Sequence, residues 1–180
     1  MYALKHSEYP QCSHSEQDIP SGLCIITIGN NLRGDDGIAM KICDKLPATL
    51  VDDVCRFDLG TYTSYLGSCL HGHKAAIIID STSNSCAPGS ITIVDLKAYL
   101  EDQKGSPLGV KTTHGFSVVD ELKLLSEVSE LPERLMLLGV EVKDVNSDKV
   151  SPSLQSKVPQ LVSNLSFLVE RILETLKKNA

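Results

Sequence analysis

The 180-residue sequence predicts an α/β protein of three layers, a mostly parallel sheet of five strands between helices on both faces. Three observations carry that expectation. Leu23–Ile28, Ala75–Ile79 and Leu135–Val140 are nearly continuous apolar runs of strand length, the pattern of strands covered on both faces. Strand-like and helix-like segments follow one another in the order βα, βα, β, β, α, β, α. The stretch from Pro152 to Lys178 repeats Leu154, Val158, Leu161, Leu165, Leu168, Ile172 and Leu176 at steps of three and four, one core-facing helical stripe.

The first apolar run is followed by helical periodicity over Gly37–Leu46, then by a second strand over Val54–Phe57 and a helix over Thr63–His71. The third strand, Ala75–Ile79, is joined to a fourth, Ser90–Val94, by a tight or hairpin-type connection at Pro88-Gly89. Two strands in succession with no helix between them predict one antiparallel member. A Gly/Pro-containing loop over Lys104–Thr113 leads to a helix over Ser117–Ser129, and Leu135–Val140 completes the sheet. Ser151 as cap and Pro152 at the first helical position start the C-terminal helix, which Pro159 is expected to bend or divide. Residues 1–21 are polar and aperiodic and read as a mobile extension; residues 22–180 read as a single domain.

Composition narrows the function. A chain of this size buries roughly 70% of its unfolded surface, and 42% hydrophobic residues is ordinary for a soluble domain. Aromatics are only 4% and the net charge is -6, so neither base stacking nor phosphate contacts are supplied, and nucleic acid is not an expected partner. No apolar run approaches the roughly 18 residues that cross a membrane. The first residues lack a signal-peptide core. Six cysteines without a CxxC pair fit free thiols in a reducing cytoplasm.

The chemistry concentrates after the first strand, in Gly29-Asn30-Asn31-Leu32-Arg33-Gly34-Asp35-Asp36-Gly37. In an α/β protein this turn faces the crevice where ligands bind. Two adjacent carboxylates there would repel a phosphate; they suit a cation or proton transfer. The glycine spacing is not GxGxxG, no GK[ST] follows, and no GxSxG elbow is present. Two further loops leave the same edge, Asp58-Leu59-Gly60-Thr61 after the second strand and Thr112-Thr113-His114-Gly115 before a helix. Together they offer two acids and an imidazole, a set that accepts borderline divalent metals. Asp80 is a fourth polar group on that edge.

Each residue also has a plainer role. Asp35 or Asp36 can cap the helix that follows, although one side-chain oxygen suffices for that. Asp58 can form an Asx turn before Gly60, His114 can cap the next helix, and Asp80 can bond to loop amides. Asn30 reads as a turn residue or a substrate contact. His71-Gly72-His73 has the look of a metal clip but belongs to the opposite end of the sheet, where a solvated helix end is expected.

With these segments in order, the chain resembles the hydrogenase maturation endopeptidases, the family that trims the C-terminus of nickel–iron hydrogenase large subunits. The Gly29–Gly37 stretch matches the family's GNxLxxDDG opening; Asp58-Leu59-Gly60-Thr61, Ile79-Asp80-Ser81, Pro88-Gly89, Thr113-His114 and Leu138-Gly139-Val140-Glu141 follow in family order. Ala39 and Leu59 stand where the family often has glycine. The resemblance implies a five-stranded twisted sheet between helical layers. It implies a metal-contacting and catalytic trio of Asp36, Asp58 and His114, with Asn30, Asp35, Gly60 and Thr61 as substrate contacts. It further implies one cut that removes a short tail from the hydrogenase large-subunit precursor. The nickel belongs to that precursor, and other divalent ions can occupy the site in isolation. A non-cleaving nickel-dependent docking or delivery protein, and an aspartate-dependent peptidase of the same fold with another substrate, are the alternatives. A cytoplasmic monomer is expected.

Overall fold

A computed structural model describes residues 22–102 and 118–178, so the 1–21 extension expected from the sequence lies outside the described residues. Five strands form one sheet: β1 (Leu23–Thr27), β2 (Cys55–Asp58), β3 (Ala75–Thr82), β4 (Ile91–Asp95) and β5 (Arg134–Glu141). Their order across the sheet is β2-β1-β3-β5-β4, with every neighbouring pair parallel except β4 against β5.

The apolar runs fold as strands because alternate residues have a core to enter on each face. Leu23 and Ile25 of β1, with Ala75, Ile77 and Ile79 of β3, join one buried cluster. Cys24 and Ile26, with Ala76 and Ile78, join the other. The first cluster is closed by α1 (Ile38–Cys43), α2 (Ala48–Val51), α6 (Pro152–Gln155) and α7 (Val158–Lys178). The second is closed by α3 (Leu66–Leu70), α4 (Leu96–Glu101) and α5 (Val118–Val128). Each fully buried Leu or Ile contributes about 1.5–3 kcal/mol, so both layers are needed. The architecture is the three-layer α/β one expected.

The differences are local. The first helix does not run straight from Gly37 to Leu46: a 3-10 turn, Gly34–Gly37, precedes α1, which stops at Cys43. The single turn α2 after Pro47 was not foreseen, nor was α4. The latter carries a signal in Asp95, whose side chain accepts the Ala98 N–H at 3.0 Å as an N-cap. Pro88-Gly89 is a tight turn, with Ser90 N–H donating to the Ala87 carbonyl at 2.9 Å and Gly89 at φ +82°. It does not make a hairpin, because β5 lies between β3 and β4. The C-terminal helix divides at Ser156-Lys157, ahead of Pro159. That proline occupies the first turn of α7, where an N–H has no helical partner to lose. The buried stripe of α7 also takes in Val169 and Leu173.

No described helix is long and apolar enough to cross a membrane. Cys24, Cys43, Cys69 and Cys86 are free, whereas Cys55 is disulfide-bonded, which departs from the expectation of free thiols throughout. Burial pushes the Cys43 thiol up to about 11 and that of Cys69 up to about 12, so both behave as small hydrophobes.

Candidate active site

The site is assembled at the carboxyl ends of β1, β2 and β3. Beyond Thr27 the Ile28 N–H still bonds the Ile79 carbonyl, at 2.9 Å, and the chain then turns sharply at Gly29. Gly29 has φ +147°, and a Cβ on it would overlap the carbonyl oxygen of Asp36. Only glycine lets the end of β1 lie against the turn that carries the double aspartate.

That turn aims its two carboxylates differently. Asp36 is buried; its Oδ1 accepts the Ser81 hydroxyl at 2.6 Å and its Oδ2 accepts the Asn30 N–H at 2.9 Å. Asp35 is also buried, but it faces the segment after β5. Its Oδ1 accepts the Ser151 N–H at 2.7 Å, and its Oδ2 accepts the Ser151 hydroxyl at 3.0 Å and the Asp144 N–H at 3.1 Å. Asp35, expected as a substrate contact, is thus buried and bonded to the scaffold. Neither acid caps α1, whose N-cap, Gly37, has no side-chain cap bond.

Asp58 ends β2 directly beside the end of β1, in register with Thr27. It is exposed. Its Oδ1 accepts the Thr27 hydroxyl at 3.0 Å and the Gly60 N–H at 3.2 Å. Among the described residues its Oδ2 has no hydrogen-bond partner. The Asx turn before Gly60 is thus formed, on one carboxylate oxygen of Asp58. Gly60, at φ +53°, accepts the Gly29 N–H on its carbonyl at 2.8 Å. A continuous path of bonds therefore links Asp36 through Asn30-Gly29 and Gly60 to Asp58.

Asn30 closes its own loop, its Oδ1 accepting the Leu32 N–H at 2.9 Å. Thr61 is exposed beside Gly60. Asp80 is fully buried within β3, two residues before its end. His114 lies outside the described residues. Among those residues no group of three His, Cys, Asp or Glu side chains could hold a metal. The described part of the trio is a carboxylate pair, and hard oxygen donors of that kind suit a divalent cation.

Two features were missed. Leu59, next to Asp58, buries its side chain in the core. Glu141, at the end of β5, accepts the Thr82 hydroxyl at 2.9 Å and the backbone N–H groups of Asn84 and Cys86 at 2.7 and 3.0 Å. In the sequence it figured only as the last residue of the Leu138-Gly139-Val140-Glu141 match, with no role of its own. At the other end of the sheet His73 is buried, not solvated: its Nδ1 meets the His71 carbonyl at 3.1 Å and its ring stands edge-on to Phe57. Burial lowers its pKa.

The family model of hydrogenase maturation proteases matches residues 40–174, a span that includes Asp58 and begins just past Asp36. No curated protein sequence matches the chain. Among solved structures, the [NiFe] hydrogenase maturation protease HybD from Thermococcus kodakarensis is similar at TM-score 0.64 and 22% identity, over 82% of this chain and 98% of that one. The hydrogenase maturating endopeptidase HybD from E. coli is similar at TM-score 0.63 and 22% identity, over 83% of this chain and 92% of that one. The [NiFe] hydrogenase maturation protease HycI from Thermococcus kodakarensis KOD1 follows at TM-score 0.56 and 17% identity, over 86% and 97%. At such identities the structural likeness speaks to fold, while the family match covers most of the sequence. The chain belongs to the hydrogenase maturation protease family and is an endopeptidase.

Proposed function

We propose that the protein removes a short C-terminal peptide from the precursor of a nickel–iron hydrogenase large subunit after nickel insertion, recognising the nickel that the precursor carries. The observation that supports this reading is the bonded path joining Asp36 and Asp58 at one sheet edge. Asp36 is held in a fixed plane by Ser81 and Asn30, and Asp58 keeps one oxygen open. His114, assigned by resemblance, supplies the nitrogen donor of the trio.

In this reading the substrate's nickel is a docking point. Its engagement by the trio orients the scissile peptide, and orientation alone is worth several kcal/mol in a positioned reaction. A water activated by that nickel or by a carboxylate then attacks the peptide carbonyl. A cytoplasmic monomer suffices, because the precursor supplies both the metal and the bond to be cut.

The test is to incubate the protein with nickel-loaded and nickel-free precursor and weigh the products by mass spectrometry. The expected result is loss of a defined C-terminal peptide from the loaded form only, abolished by Asp36→Asn. Undiminished tail removal by that variant would overturn the role of Asp36.

A further inference from the structure

We propose that Asp35 is a positioning residue for the reaction: it clamps the turn carrying Asp36 to the segment after β5 and so fixes where Asp36 stands. The kinetic part of this inference rests on the proposed cleavage; the geometric part does not.

Every partner of the Asp35 carboxylate is a donor. Ser151 gives its N–H and hydroxyl, and Asp144 and Lys143 give their N–H groups, the last at 3.3 Å. In return the Asp35 N–H donates to the Asp144 carbonyl at 2.9 Å. Such charge-assisted bonds are roughly twice as strong as neutral ones, and this group is wholly out of solvent. The Ser151 hydroxyl also accepts the Leu154 N–H at 3.4 Å, capping α6, so the clamp reaches the start of the C-terminal helices. The two segments touch at backbone level too. Gly34 sits at φ +52° with no room for a Cβ beside the Asp144 carbonyl and Ser147 Oγ.

The opposite side of the turn is held just as firmly, by Ser81 and Asn30 on Asp36. Asp35 and Asp36 are successive residues of one four-residue 3-10 turn, so displacing the first tilts the second. Helix capping would need a single oxygen. The pair makes sense as a division of labour, in which one acid grips the scaffold from behind and the other is held at the strand ends by Ser81 and Asn30.

The experiment compares wild type, Asp35→Asn, Ser151→Ala and the double variant on nickel-loaded precursor, at a temperature where circular dichroism shows all four folded. The Asn30 amide is followed in parallel by 15N NMR, because it donates to Asp36 and reports its position without any turnover. Asp35→Asn puts an NH2 group against N–H donors and should lower kcat/KM by roughly tenfold or more. Ser151→Ala should act in the same direction but less, and the double variant should cost less than the product of the two. The Asn30 resonance should move in both single variants. Unchanged kcat/KM with an unmoved Asn30 amide, in either single variant, overturns the proposal. If Asp35→Asn does not fold, Ser151→Ala carries the decision. If wild type leaves the precursor intact, the functional reading fails instead, and the Asn30 amide alone decides whether Asp35 controls Asp36.

Discussion

Ser81 donates its hydroxyl to Asp36 Oδ1 at 2.6 Å, tying the end of β3 to the turn after β1 where both side chains are buried. Asp58, the second acid, is exposed and held on one oxygen only. The two therefore respond differently to mutation. Ser81→Ala removes a partner from a buried carboxylate and should cost about 1–3 kcal/mol of stability, along with part of the activity. Asp58→Asn keeps an oxygen for Thr27 and Gly60 and should change stability by less than about 0.5 kcal/mol while precursor cleavage collapses. Urea denaturation beside a cleavage assay reads both. Equal stability losses would contradict the burial difference between the two acids.

Gly29→Ala should be far more damaging than its size suggests. The φ of +147° is strained for any residue with a side chain, and the added methyl would collide with the Asp36 carbonyl oxygen. Backbone strain alone is worth about 1–3 kcal/mol, and relief requires the turn to move away from β1. The Asn30–Asp36 bond, one residue along, would break with it. The expected outcome is a lowered denaturation midpoint together with loss of cleavage. Gly72→Ala is the control, since nothing lies within 4 Å of a Cβ there, although its φ of +76° keeps some strain. A Gly29 variant as active as wild type would show that the turn tolerates displacement.

The sheet was legible because β1, β3 and β5 are largely apolar on both faces, and a run such as Ala75–Ile79 has no other economical place to go. The carboxylate pair was legible because Gly29 and Gly60 mark sharp turns at the ends of adjacent strands. What stayed hidden was direction. Sequence cannot say that Asp35 turns back onto Ser151 while Asp36 turns toward Ser81, since that depends on partners 116 and 45 residues away. The same holds for Glu141, whose donors lie 55 to 59 residues earlier. One-turn helices such as α2 carry too few residues for periodicity to declare itself. His114, the third residue of the trio that the resemblance implies, lies outside the described residues.

Glu141 deserves its own test because it organises the loop that follows β3. One buried carboxylate receives the Thr82 hydroxyl and the N–H groups of Asn84 and Cys86. Glu141→Ala strands the buried Thr82 hydroxyl, a loss of about 1–3 kcal/mol for a group left unpaired in the interior, and releases the N–H groups of the half-buried Asn84 and the exposed Cys86. Water entry will recover part of this, so a net loss of about 1–3 kcal/mol is expected, with faster amide exchange at Asn84 and Cys86 in the hydrogen-exchange pattern. Ser81 lies next to Thr82, so cleavage should fall as well. Unaltered exchange at both amides would remove Glu141 from this role.

His73 should make the fold sensitive to mild acid. Burial is the main cause of its lowered pKa, reinforced by the neighbouring His71. The unfolded ring takes up a proton near 6.5, whereas the folded ring resists until the pH is lower. In the window between those two values the unfolded chain binds more protons, so stability falls as pH drops through 6.5 and is intact above it. His73→Phe keeps a ring against Phe57 but cannot titrate. The gap in thermal midpoint between wild type and variant should therefore shift in the variant's favour as pH is lowered from about 8 to about 5. Wild type loses stability there that the variant retains. Parallel curves across that range would mean that the ring is protonated without cost, and that the contact with Phe57, not burial of a neutral imidazole, is what this position contributes.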